Sequence, residues 1–379
     1  MTNKVRTLLT TLAIFSTNWM LCCHSLPVFA QSATSKPNPA PTATSVQSPT
    51  AMPAPAPSAT APTVAVDTVP SSGEGESIYQ TGLPVETGNL LSEVKNPRLA
   101  LILAGGGARG AAHIGVLKVF DREKIHVDFL VGSSVGALVG SLYCAGVSAR
   151  GIEELVLSNQ LKKAFYPIQF KLKAALGIPP YMLKRLIFLK PPIGLYSGNS
   201  IAKFIERNLP PGIEKIEQLK TPFAALTVNL GDTRPVWLDT GNIAKAVQAS
   251  CSVPMLYRPV VTDGKLFVDG GLRNNLPTEP ATAVGAQIVV AVKLHAFLKG
   301  NDQSKFNTFS SYGDQLLGIL MAEIEDKPAG QADIVIEPNA DKLNLHNFNR
   351  ADLIEAIKSG EEAAEKALPA IKARINASH

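Results

Sequence analysis

Apolar and polar positions divide the chain into stretches of different character. Near the start, Lys4 and Arg6 precede an apolar stretch centred on Leu8-Leu9 and Leu12-Ala13-Ile14-Phe15, and Pro27-Val28-Phe29-Ala30 comes before Gln31. A basic start, a short apolar segment and small residues in a V-x-A pattern predict a secretory signal peptide over residues 1–30. The apolar stretch is interrupted by Thr, Ser and Asn and is too short for a bilayer span. The alternative is an uncleaved anchor. Cys22 and Cys23 lack the small preceding residue that lipoprotein processing wants. Residues 31 to about 75 are almost wholly Ala, Pro, Ser and Thr. Such a stretch buries too little apolar surface to offset its ordering entropy, so a disordered linker is expected over 31–95.

From there the pattern changes to short apolar runs alternating with segments of helical spacing. Arg98–Ala104, Val127–Val131, Pro222–Leu230, Pro235–Leu238, Gln287–Leu294 and Ala332–Ile336 read as strands. Ala111–Arg122, the stretch after residue 134 to about Ala145, Ile152–Asn159, Ile201–Asn208 with Ser200 as its cap, Ile243–Ser250, Thr278–Val284 and Arg350–Ala367 read as helices. Pro259–Val268 reads as a hairpin turning at Asp263-Gly264. The alternation predicts one α/β layered domain over 96–375 with a largely parallel sheet.

Three glycine-bearing segments follow predicted strands in this domain. Gly132-Ser133-Ser134-Val135-Gly136 lies between a strand and a buried helix, the arrangement of a nucleophile elbow, with Ser134 at its tip. Gly105-Gly106-Gly107-Ala108-Arg109-Gly110 ends the first strand and opens the first helix. It satisfies a dinucleotide fingerprint, but the second strand ends in Val131-Gly132-Ser133 and not in the acid that would hold a ribose. The other reading is an oxyanion hole: unobstructed backbone N–H groups at a helix N-terminus, on the sheet edge where the elbow also ends. Asp269-Gly270-Gly271 follows Leu266-Phe267-Val268 and leads into another helix, so Asp269 is the candidate base. A conventional triad would add a histidine, with His295 at the end of a predicted strand or His346 in a polar loop as candidates, and spacing alone leaves that open.

The formal charge is +5, and loss of Lys4 and Arg6 with the signal peptide leaves +3, too little to argue for nucleic acid. Cys144 and Cys251 would be the mature cysteines; both lie in apolar surroundings and read as buried small hydrophobes.

Taken together, these segments resemble the patatin-like phospholipase family. The likeness extends to Ala249-Ser250-Cys251-Ser252-Val253-Pro254 and Arg258-Pro259-Val260, and spans about Arg98 to Val292. Many members have alanine where Gly271 stands. The resemblance implies a three-layer α/β sandwich and a serine lipid acyl hydrolase without metal or organic cofactor. It also implies a Ser–Asp dyad in which Ser134 attacks the ester, Asp269 takes its proton and residues 105–110 bind the oxyanion. An inactive lipid-binding module on the same fold, or a Ser-Asp-His esterase using His295, are the alternatives.

No Asp or Glu occurs between Ser158 and Ser200, where Lys162, Lys163, Lys171, Lys173, Lys184, Arg185 and Lys190 are interleaved with Phe165, Tyr166, Phe170 and other bulky apolar residues. This suits peripheral contact with anionic lipid, or an insertion packing its apolar side on the core. The expected location is exported, periplasmic or secreted.

Overall fold

Leu99–Leu103 form the first strand, β1, and all five residues are buried. A strand apolar on both faces belongs in the interior of a parallel sheet covered on both sides. β1 accordingly lies between β2 (Phe129–Ser133) and β7 (Ile288–Val292), parallel to both. The computed structural model describes residues 93–166, 193–262, 264–294, 319, 329–339 and 348–378. Beyond β2 lies β3 (Phe223–Asn229) and beyond β7 lies β8 (Ile334–Ile336), so β3-β2-β1-β7-β8 run parallel. β4 (Pro235–Leu238), β5 (Val260–Thr262) and β6 (Lys265–Asp269) add antiparallel pairings to complete an eight-stranded mixed sheet among the described residues. The helices are α1 (Ala111–Glu123), α2 (Val135–Cys144), α3 (Ala149–Leu157), α4 (Gln160–Phe165), α5 (Asn199–Asn208), α6 (Ile243–Ser250), α7 (Glu279–Ala283) and α8 (Arg350–Ala377). This is the expected layered α/β sandwich with a mostly parallel sheet.

The registers on β3 decide where the chemistry falls. β2 pairs with Phe223–Leu226, β4 with Ala225–Val228 and β6 with Thr227–Asn229. β4 overlaps both of the others, so it fills one edge of β3, and β2 and β6 share the opposite edge. They run towards each other and meet end to end, Ser133 opposite Leu226 and Asp269 opposite Thr227. Both chains must leave the sheet at that point.

Several boundaries differ from expectation. β2 begins and ends two residues later than its apolar run, because Gly132 and Ser133 continue the ladder with β1 and β3. The side chain of Asp128 instead receives the N–H of Leu99 at the start of β1 (2.8 Å). Helix α5 starts at Asn199 behind Gly198, whose φ is +77°, so Ser200 is not the cap; its hydroxyl donates to the Ala164 carbonyl of α4 (2.6 Å). Helix α4 itself has no counterpart in the sequence reading. Helix α8 runs past Ala367 to Ala377 despite Pro369, because Ile371 is fully buried and anchors its last turns.

The 158–200 stretch is described only at its ends; Phe170, Lys171, Lys173, Lys184, Arg185 and Lys190 lie outside the described residues, as do Asp263 and His346. At its start, Lys162 and Lys163 are exposed on α4 while Leu161 and Phe165 face the core. Phe165 stacks on Phe348 with ring centroids 5.3 Å apart, and Tyr166 packs edge-on against Tyr196. These two aromatics are therefore packing residues and not lipid-facing ones. Among the described residues no helix is long and apolar enough to cross a membrane.

α8 lies against α1 through a pair of glycines. A β-carbon at Gly115 would run into the Ile357 carbonyl and Glu361 N, and one at Gly360 into the Ala112 carbonyl. Backbone cannot yield as a flexible side chain can, so Gly360→Ala is expected to cost about 1–3 kcal/mol despite alanine's better helix propensity. A denaturant melt with an unchanged midpoint would contradict this close approach.

Candidate active site

Ser134 is the first residue after β2 and the N-cap of α2, with φ 51° and ψ −121°. A side chain in that conformation is strained, and such strain persists only where the surroundings enforce it. The elbow glycines do not carry the turn themselves: neither Gly132 nor Gly136 has a positive φ. They are needed for close approach. A β-carbon on Gly132 would meet Gly136 and Ala137 backbone, and one on Gly136 would meet the Leu103 and Ala104 carbonyls. The helix N-terminus behind Ser134 adds a positive dipole end.

Asp269 closes β6 and is buried. Its N–H donates to the Ser252 carbonyl (3.1 Å), and its Oδ1 accepts from Gly271 N–H (2.9 Å). Gly270 lies against the Leu226 carbonyl, with no room for a β-carbon. The side chain of Ser134 lies near enough to the Asp269 carboxylate to favour its charged form. Burial raises the Asp269 pKa from its ordinary 3.8 to about 6, against the opposing pull of the Ser134 side chain and the Gly271 N–H. Cys251 is fully buried, and burial pushes its thiol well above the ordinary value, so it stays neutral. Both Cys144 and Cys251 are free and buried, as expected.

The glycine loop comes against the same serine: a β-carbon on Gly105 would lie 3.1 Å from Ser134 Cβ. Two of its six residues spend their N–H groups elsewhere, Gly105 on the Asn275 carbonyl (3.2 Å) and Arg109 on the Gly106 carbonyl (3.1 Å). These two N–H groups of the expected oxyanion loop are thus already engaged by carbonyls. No hydrogen bond among the described residues takes the N–H of Gly106, Gly107 or Ala108. Gly106 and Gly107 are partly open and Gly107 has φ +55°, a glycine conformation. Gly110 is packed against Val135, the residue after the serine.

Two residues given no role from sequence hold this loop. Asn275 accepts from Gly105 through its carbonyl and donates through Nδ2 to the Gly105 carbonyl (3.1 Å), clamping it from both sides. The Asn-Asn pair in a run leading off Asp269-Gly270-Gly271 was the available signal. His113 is fully buried, and its Nε2 donates to the Ala104 carbonyl (2.8 Å) just before the loop. Burial lowers its pKa to about 4, so it is neutral and positions backbone. Among the described residues no histidine bonds Ser134 or Asp269, and His295 lies outside them.

With this geometry in hand, residues 101–282 match the model of the family described as patatin-like phospholipase. The chain contains a patatin-like phospholipase domain. It is 29% identical over 220 residues to the lysophospholipase nte1 of Aspergillus fumigatus, covering 58% of this chain and 13% of that one. It is 31% identical over 203 residues to an uncharacterized NTE family protein of Mycobacterium bovis, covering 53% and 50%. It is 29% identical over 223 residues to patatin-like phospholipase domain-containing protein 6 of Mus musculus, covering 58% and 15%. The patatin-like match thus spans at most half the length of these relatives.

Proposed function

We propose that the protein is a lipid acyl hydrolase in which Ser134 is the nucleophile and Asp269 its base. The observation that carries this reading is the juxtaposition of the two residues where two strand ends meet, Ser133 opposite Leu226 and Asp269 opposite Thr227, with the Ser134 side chain acting on the buried Asp269 carboxylate. The family match and the lysophospholipase among the relatives support an ester of a lipid acyl chain as substrate. Ser134 Oγ attacks the acyl carbonyl while its proton passes to Asp269. The developing oxyanion takes N–H donors from Gly106, Gly107 and Ala108, aligned before the reaction begins. Asp269 returns the proton to the departing alcohol. It then deprotonates the water that cleaves the acyl-enzyme, releasing a fatty acid and free Ser134. Export through residues 1–30 belongs to the same proposal and rests on the sequence.

A fluorophosphonate that reacts with activated serines is expected to label the protein once, at Ser134 by peptide mapping, and to block fatty-acid release from lysophosphatidylcholine. Labelling at another residue, or release that persists after complete labelling, would overturn the assignment.

A further inference from the structure

The N–H of Ser134 falls between two regular elements. β2 ends at Ser133 and α2 begins at Val135, so neither the sheet ladder nor the helix supplies an acceptor. The acceptor is a side chain 116 residues further on: Ser250 Oγ receives this N–H at 2.9 Å. The same hydroxyl donates its own proton to the Leu226 carbonyl at 2.6 Å. Ser250 is the last residue of α6 and is fully buried, so no solvent can substitute for it.

Leu226 and Thr227 are the β3 residues opposite Ser133 and Asp269. Ser250 therefore ties the backbone of the serine to the strand on which the aspartate is registered. Two residues later the Ser252 carbonyl receives the Asp269 N–H (3.1 Å), and the Ser252 hydroxyl fastens that turn to the Gln248 carbonyl (2.7 Å). One short segment thus grips both side chains of the pair through their backbones. We infer that Ser250 is a positioning residue: its hydroxyl holds the strained conformation of Ser134 and sets the separation of Ser134 from Asp269. This deepens the hydrolase reading and rests on it.

Removing the hydroxyl leaves a buried N–H on Ser134 and a buried C=O on Leu226 without partners. The elbow then relaxes, and small displacements of a nucleophile cost large factors in rate. Ser250→Ala is expected to lower kcat on a soluble short-chain ester by about 10- to 100-fold with KM within about twofold. Ser250→Cys preserves shape but bonds weakly, and is expected to fall with it; it also serves should the alanine variant fail to fold. Ser250→Thr retains the hydroxyl and is expected to recover most of kcat. The Ser134 side chain pulls the Asp269 pKa down, so displacing it moves the lower pH midpoint of kcat/KM upward in the alanine and cysteine variants. A purely structural role leaves that midpoint in place. Wild-type turnover in both variants, or equal losses in all three with an unmoved midpoint, would overturn the inference. Absence of ester hydrolysis and labelling in the wild-type protein would instead remove the hydrolase reading beneath it.

Discussion

Ser134→Ala is expected to lower ester hydrolysis by about 10⁴- to 10⁶-fold, the range seen when an activated nucleophile is deleted, and to abolish fluorophosphonate labelling. The adjacent serine makes this a sharp test. Ser133 is fully buried, its hydroxyl has no hydrogen-bond partner among the described residues, and its backbone is ladder in β2. Ser133→Ala replaces an unsatisfied buried hydroxyl with a methyl, a change that is near neutral or stabilising. It is expected to keep turnover within about twofold of wild type. The two variants differ by one position, so any general damage to the elbow is common to both. Initial rates on one ester, normalised to folded protein, decide the matter: activity above about 1% in Ser134→Ala removes Ser134 from the chemistry.

Asp269→Asn is expected to lower kcat by about 10²- to 10⁴-fold, the contribution of a positioned general base, while raising stability at neutral pH. Asparagine keeps an oxygen for the Gly271 N–H but cannot take a proton from Ser134. In the wild-type protein the base is active only when ionised, so kcat/KM should rise with pH through a midpoint near 6 and level off above it. The stability effect has the opposite sign. The folded pKa is raised above the unfolded one, so the folded state binds more protons between about 4 and about 6, and stability falls as pH rises through that window. The step from 3.8 to about 6 corresponds to roughly 3 kcal/mol as an upper figure. Asp269→Asn escapes that cost: its melting temperature should exceed wild type at pH 8 and converge with it at pH 4. Equal melting temperatures at pH 8 would mean that the carboxylate is not held against its preference.

Much of the frame was legible because its signals are local. The all-apolar run at Leu99–Leu103, the glycines after it, and the strand–turn–helix around Ser134 each announce themselves within ten residues. Asp269 could be separated from Asp263 only by what followed it, because both precede a glycine. What stayed hidden depends on register and close approach. Nothing in the sequence says that β2 and β6 share an edge of β3, or that Gly132 and Gly136 serve backbone contact more than turn freedom. Asn275 and Ser250 act on residues more than a hundred positions away, and a serine ending a helix is otherwise unremarked. The donors of 105–110 could be sorted only once their carbonyl partners were known. Phe165 and Tyr166 misled because a basic, apolar segment reads alike whether its aromatics face lipid or the core.

The end-to-end meeting of β2 and β6 on one edge of β3 makes the separation of Ser134 from Asp269 a quantised property. Sliding either strand changes it by a whole residue, about 3.3 Å, and each such step also turns the side chain to the opposite face of the sheet. Intermediate settings do not exist for the backbone. The exposed turn at residues 231–234, which joins β3 to β4, can therefore be lengthened or reshaped without detuning the pair, so long as Gln248–Ser252 keeps its hold. What enters the site is open to variation in such loops, while the distance between Ser134 and Asp269 is counted in peptide units.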